Sequence, residues 1–215
     1  MSQELLKGLQ DTFLMLLGAG VFTLLLGLPL GVFLALTDRS QLLARPKLYK
    51  LLSVSVNTAR SIPFIIFMIL IAPVTRFLTG TTVGCLAAIV PLTLACVPFF
   101  ARLCENAIHH LPRGLIEAAE SLGATPMQIV TKVLIPEAMP QLINAFTVTL
   151  VHLVGYTAIS GALGSGGLGS IAIHKGYFSL KTDYMIVSVV LLFLIVQLIQ
   201  SCGDYLSQLK TRRYR

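Results

Sequence analysis

Long charge-free runs constrain this chain more than any other feature it carries. Four are uninterrupted: Thr12–Thr37 (26 residues), Phe77–Ala101 (25), Ala138–His174 (37) and Tyr184–Gly203 (20). A fifth, Leu51–Thr75, is broken only by Arg60. About 20 apolar residues in a helix cross the ~30 Å of hydrocarbon in a bilayer. Inside that layer only helices and closed barrels satisfy their own backbone. These runs are evenly apolar and do not alternate, so they predict helices. Charged residues make up 12% of the 215-residue chain, about half the ~25% of a soluble domain, which excludes disorder and an ordinary water-soluble fold. The length predicts a single transmembrane domain over 1–215 with a core at about 12–206.

The 37-residue run is too long for one span and its second half is rich in glycine. We expect the fourth helix near 139–161 and a re-entrant or surface segment over 162–183. The fold class expected is therefore all-α integral membrane, with five transmembrane helices. The first run is too long for the apolar core of a cleaved signal peptide, and Lys7 is offset by Glu4 and Asp11.

The excess of 16 basic over 9 acidic residues could suggest nucleic acid, but its distribution points elsewhere. Arg39, Arg45, Lys47 and Lys50 follow the first span. Arg102, Arg113 and Lys132 lie between the third and fourth, and Lys210, Arg212, Arg213 and Arg215 end the chain. Lys7, Arg76, Lys175 and Lys181 fall on the other side. The positive-inside rule then places the N-terminus outside and the C-terminus in the cytoplasm, and leaves no surface for nucleic acid. Cys85, Cys96, Cys104 and Cys202 show no metal-ligand spacing and read as small hydrophobes.

The segment at about 105–137 is the longest cytoplasmic stretch, and its pattern predicts two short helices. Leu115, Ile116, Ala118, Ala119 and Leu122 form one apolar face beside Glu117 and Glu120. Gly123 permits a reversal. Thr125 and Pro126 supply a cap and a first helical residue, and Ile129, Val130, Val133 and Leu134 recur at helical spacing. Such a helix–turn–helix either docks into a groove on a partner or lies on lipid as an amphipathic connector.

The spacing of Glu117-Ala118-Ala119, three residues, Gly123, nine residues, Val133-Leu134-Ile135-Pro136 resembles the EAA loop of binding-protein-dependent ABC importer permeases. Val133 and Ile135 are aliphatic replacements in that pattern. The resemblance implies a type I ABC importer permease fold in a bacterial inner membrane. It also implies a coupling role for Glu117, Ala118, Ala119, Gly123, Ile135 and Pro136. In that reading the permease is a homodimer, two ABC ATPase subunits bind its coupling loops, and an extracytoplasmic substrate-binding protein delivers the cargo. The chain itself carries no cofactor; ATP and Mg act on the partner ATPase, and no G-x-x-x-x-G-K-[ST] occurs here. The stretches Ala59–Phe64, Ala87–Thr93, Leu115–Gln128 and Leu153–Tyr156, with the glycine-rich Gly161–Gly169, resemble the methionine importer permeases of Gram-negative bacteria. That resemblance implies methionine as cargo. Another small solute (a polar amino acid, phosphonate or quaternary amine) is the alternative, and a carrier driven by protons or sodium is a third. Against the carrier, all nine acids lie outside or at the ends of the expected spans.

A zwitterionic cargo needs a polar, nearly neutral path. Thr149, His152, Tyr156 and Ser160 share one helical face, and Asn57 and Arg60 could join them. The hydroxyls could equally be interhelical glue. Arg60 either faces the bundle interior or snorkels to the interface. Gly164–Gly169 matches G-x-G-x-x-G, but it follows a membrane helix where a dinucleotide fingerprint needs a strand. It reads as a flexible extracytoplasmic segment. His109-His110, with no acid or thiol beside it in the pattern, reads as an exposed pair.

Overall fold

The computed structural model describes residues 2–38 and 44–212. Arg39, Arg213 and Arg215 lie outside the described residues, as does the side chain of Arg212. Ten α-helices follow one another among the described residues. They are α1 (Ser2–Thr37), α2 (Pro46–Ser61), α3 (Phe64–Leu70), α4 (Ala72–Thr79), α5 (Cys85–His109), α6 (Gly114–Ser121), α7 (Pro126–Gln128), α8 (Ile135–Ser160), α9 (Gly167–Ser170) and α10 (Thr182–Arg212). Among the described residues four helices are long and apolar enough to cross a membrane: Ser2–Thr37, Cys85–His109, Pro126–Ser165 and Thr182–Thr211. The run broken by Arg60 forms α2 and α3, which pass the same test only together and are bent by 105°. The bend falls at Ile62-Pro63, where Ile62 turns extended (φ −80°, ψ 124°). A residue before proline is pushed out of the helical region, and proline has no N–H to continue the ladder.

Small residues set the packing of α1 on α5. Gly31 lies where a Cβ would come within 2.5 Å of the Ala101 carbonyl oxygen, the close backbone approach that membrane helices use in place of a hydrophobic driving force. The core around Met15, Leu92, Leu153 and Leu168 is fully buried. A second core, with Phe100, Ile129 and Leu134, ties α1, α5 and α8 together toward the other end. The four cysteines are free thiols: Cys96 and Cys104 lie in the cores, Cys85 is half-buried and Cys202 is exposed.

Two expectations change. The second of the two predicted short helices is not separate from the fourth span. From α7 the chain runs through a π-helical stretch, Ile129–Leu134, into α8, giving one apolar span, Pro126–Ser165, that leaves helical geometry only at Gly164 (φ +92°). The Ile135 N–H donates to the Val130 carbonyl, five residues back. A wide turn of this kind brings Pro136 in without the full cost of a proline inside a regular ladder.

The glycine-rich segment is also not a loose loop. It folds back as a π-turn (Gly161–Ser165), α9 and a second π-helical stretch (Ile171–Phe178). The buried Thr12 hydroxyl accepts the Leu168 N–H at 2.9 Å and donates to the Gly8 carbonyl at 2.8 Å. A Cβ on Gly169 would run into the Ala158 backbone. These glycines serve close packing, and because the helix α8 leads into them, where the dinucleotide fingerprint needs a strand, the dinucleotide reading fails.

The two ends of the bundle are distinct. Glu4 pairs with Lys175 and accepts from the Tyr184 hydroxyl at 2.8 Å, joining the start of α1 to the start of α10. At the opposite end of α1, Asp38 lies 3.9 Å from His109 at the end of α5, next to α6.

Candidate functional site

The bend between α2 and α3 opens a cavity of about 560 Å³ against α5 and α8. Asn57, Arg60, Phe64, Phe99, His152 and Tyr156 are among its lining residues. The Arg60 guanidinium stands 5.5 Å from the centre of the Phe99 ring, and no carboxylate pairs with it among the described residues. Phe99 stacks on His152 (centroids 4.8 Å apart), His152 meets Tyr156 edge-on (4.5 Å), and Tyr156 stacks on Phe64 (4.1 Å, planes 8° apart). Four rings from three helices thus make one wall, with a guanidinium over its end. In this structure Arg60 borders the cavity.

Thr149 and Ser160 are not brought to this cavity. Each is at most 1% exposed, and each hydroxyl donates back to its own helix, Thr149 to Ala145 at 2.8 Å and Ser160 to Thr157 at 3.0 Å. Ser160 also accepts from Ser165 at 2.8 Å. The stripe is real: at about 100° per residue the four positions fall within roughly 80° of one another. Of the four, only His152 and Tyr156 line the cavity. Phe64 and Phe99, which complete the wall, do not stand out in the sequence, because an aromatic ring in an apolar run resembles any lipid-facing side chain.

Below the cavity runs a buried polar network that sequence reading misses. Glu105, 2% exposed, accepts from Arg102 at 2.6 Å and from the Tyr49 hydroxyl at 3.0 Å. Arg102 also donates to the Ser53 hydroxyl (2.7 Å) and to Asn57 Oδ1 (2.9 Å). Glu105, expected in the cytoplasmic segment, is instead an interior residue of α5 that holds α2 in place. Nor is His109 without acid neighbours, since Asp38 and Glu105 lie 3.9 and 4.0 Å from it. The i,i+3 spacing of Arg102 and Glu105 is the one local signal, but Tyr49 and Ser53 are some 50 positions away.

The EAA-type segment projects from the bundle at this end. α6 ends at Ser121, and Gly123 takes φ +76° with no atom within 4 Å of the place a Cβ would occupy, so glycine is needed there for backbone conformation rather than for space. Thr125 and Gln128 form a reciprocal capping box at the start of α7, which fixes the turn. Ile116 and Ala119 pack inward on the second core. Ala118 and Leu122, read with them as one apolar face, are exposed instead, and Leu122 and Met127 stand 88% and 71% exposed at the tip. The Glu117 side chain is exposed with no hydrogen bond or ion pair among the described residues. Ile135 and Pro136 are half-buried at the start of α8. The capped turn thus exposes two large apolar side chains and a carboxylate together.

Comparison with known proteins agrees with this geometry. The family of binding-protein-dependent transport system inner membrane components matches residues 27–215. The probable D-methionine transport system permease protein MetI of Vibrio cholerae is 48% identical over 205 residues, 95% of this chain and 91% of that protein. The D-methionine transport system permease protein MetI of Escherichia coli K12 is 52% identical over 157 residues, 73% of this chain and 72% of that one. A solved inward-facing conformation of the MetNI methionine ABC transporter superposes with a TM-score of 0.96 at 48% identity, covering 98% of this chain and 97% of that one. With the same helical architecture, a projecting turn of the expected pattern and a family match over most of its length, the chain belongs to the inner membrane components of binding-protein-dependent transport systems.

Proposed function

We propose that this chain is the translocation subunit of an ATP-driven importer of methionine. The observation that carries the reading is the 48% identity over 95% of the chain to a probable D-methionine permease, together with the TM-score of 0.96 to a methionine ABC transporter. Two copies surround the path, two ABC ATPase subunits engage the turns between α6 and α7, and a binding protein delivers methionine from outside. ATP and Mg act on the ATPase subunits. The bent pair α2–α3 counts as the fifth span, with the N-terminus outside. The separation of Glu4 and Lys175 at one end from Asp38, His109 and α6 at the other supports that orientation.

Glu117, Ala118, Leu122 and Met127 present the docking surface. Gly123 holds the turn, and Ile135 and Pro136 join it to α8. Closure of the ATPase pair moves this turn, and α8 carries the displacement to the cavity wall at His152 and Tyr156. Asn57 and Arg60 face the cargo from α2. Access then alternates between the two sides of the membrane.

The test is reconstitution of the permease with its ATPase and binding protein in proteoliposomes. Methionine-loaded binding protein should stimulate ATP hydrolysis and drive methionine uptake. Stimulation by a different cargo and not by methionine would overturn the substrate, and uptake by the permease alone on a proton or sodium gradient would overturn the class.

A further inference from the structure

We propose that the cavity at the α2–α3 bend is a binding station for a neutral zwitterionic amino acid, in which Arg60 takes the carboxylate and the aromatic wall takes an apolar, polarisable side chain. This deepens the methionine-import reading and rests on it: the path is given a site with its own selectivity.

Three observations converge. The first is the guanidinium. Arg60 interrupts a run otherwise free of charge from Leu51 to Thr75 and lines the cavity, where its guanidinium lies over the Phe99 ring face. Arg60 is exposed toward the cavity, a cation in an apolar run needs water or an anion for a partner, and a guanidinium matches a carboxylate in a two-pronged geometry. The second is the wall. Phe64, Tyr156, His152 and Phe99 form a continuous ring stack beside it, an environment that favours a thioether through sulfur–aromatic contact and a ligand ammonium through the ring faces. The third is the helix break. α2 stops at Ser61 with Ile62 extended and proline next, so the carbonyls of its last turn lack the donors that a continuing helix would supply. They lie at the negative end of the helix dipole, suited to an ammonium.

The charges also say what is excluded. No carboxylate is among the lining residues, so a second cation on the ligand has no partner, and one guanidinium leaves a second ligand carboxylate unpaired. Both would be desolvated at a cost. At about 560 Å³ the cavity has room for one amino acid with its water, within the usual range of small-molecule sites.

The test uses the assembled permease–ATPase complex in its nucleotide-free state and photo-methionine, the diazirine analogue, as probe. Labelled peptides are mapped by mass spectrometry. Label should fall in the peptides carrying Phe64, Phe99 and Tyr156, and methionine should suppress it. Methioninamide, which lacks the carboxylate, should compete roughly tenfold less well, and lysine should not compete. Arg60→Gln should lower the label about tenfold and abolish the preference for methionine over its amide, while Arg60→Lys should restore part of both. Stimulation of ATP hydrolysis by methionine-loaded binding protein is measured on the same wild-type preparation. If that stimulation is absent, the methionine-import reading has failed. If it is present and the label misses these peptides, or Arg60→Gln leaves label and preference unchanged, the binding station is overturned.

Discussion

Glu105 and Glu117 stand twelve positions apart at the same end of the molecule and have opposite surroundings. Glu105 is 2% exposed and holds two donors from two helices. Glu117 is exposed, and its carboxylate has no partner among the described residues. The first closes an interaction inside the chain, and the second leaves one open. The difference teaches that the end of α5 and the turn after α6 are built differently: one fixes α2 to the bundle, and the other leaves its carboxylate to solvent, as the proposed docking role requires.

Substitutions can break or sharpen that contrast. Glu105→Ala should be the most damaging, because it leaves a mostly buried Arg102 with only the neutral acceptors Ser53 and Asn57. Stability should fall by about 3 kcal/mol, read as a lower thermal midpoint of the purified permease, and a change below about 1 kcal/mol would erase the contrast. Glu105→Gln keeps an acceptor for Tyr49 but removes the charge facing Arg102, for a loss of about 2 kcal/mol on the same measurement. Tyr49→Phe deletes one hydrogen bond to Glu105 and should cost about 1 kcal/mol. Should it cost nothing, the α2–α5 tie rests on Arg102 alone. Glu117→Arg should change stability by less than about 0.5 kcal/mol and yet weaken co-purification of the ATPase subunits and methionine-stimulated ATP hydrolysis. Intact assembly in that variant would remove Glu117 from the docking surface.

The sequence reveals these regions unequally for physical reasons. The spans are legible because hydrocarbon demands length and apolarity, which a linear scan detects. The turn after α6 is legible because its determinants, from Glu117 to Pro136, are consecutive in the chain. The cavity is half legible: Asn57, Arg60, His152 and Tyr156 stand out as polar residues in apolar runs, whereas Phe64 and Phe99 acquire a role only when three helices meet. The 105° bend has its signal in Pro63, but a proline in a long, charge-poor run does not by itself say whether the helix ends there or continues. Glu105 reads with the acids of the following segment because sequence does not say where α5 stops. Its partner Tyr49, like Ser53 beside Arg102, becomes a neighbour only through packing.

The continuity of Pro126–Ser165 makes α8 a lever. From Gln128 near the tip to His152 at the cavity wall is about 36 Å at 1.5 Å per residue. A tilt of only ~5° displaces one end relative to the other by about 3 Å, the width of a water molecule. Small angular strokes at one end are thereby felt as ångström displacements at the other.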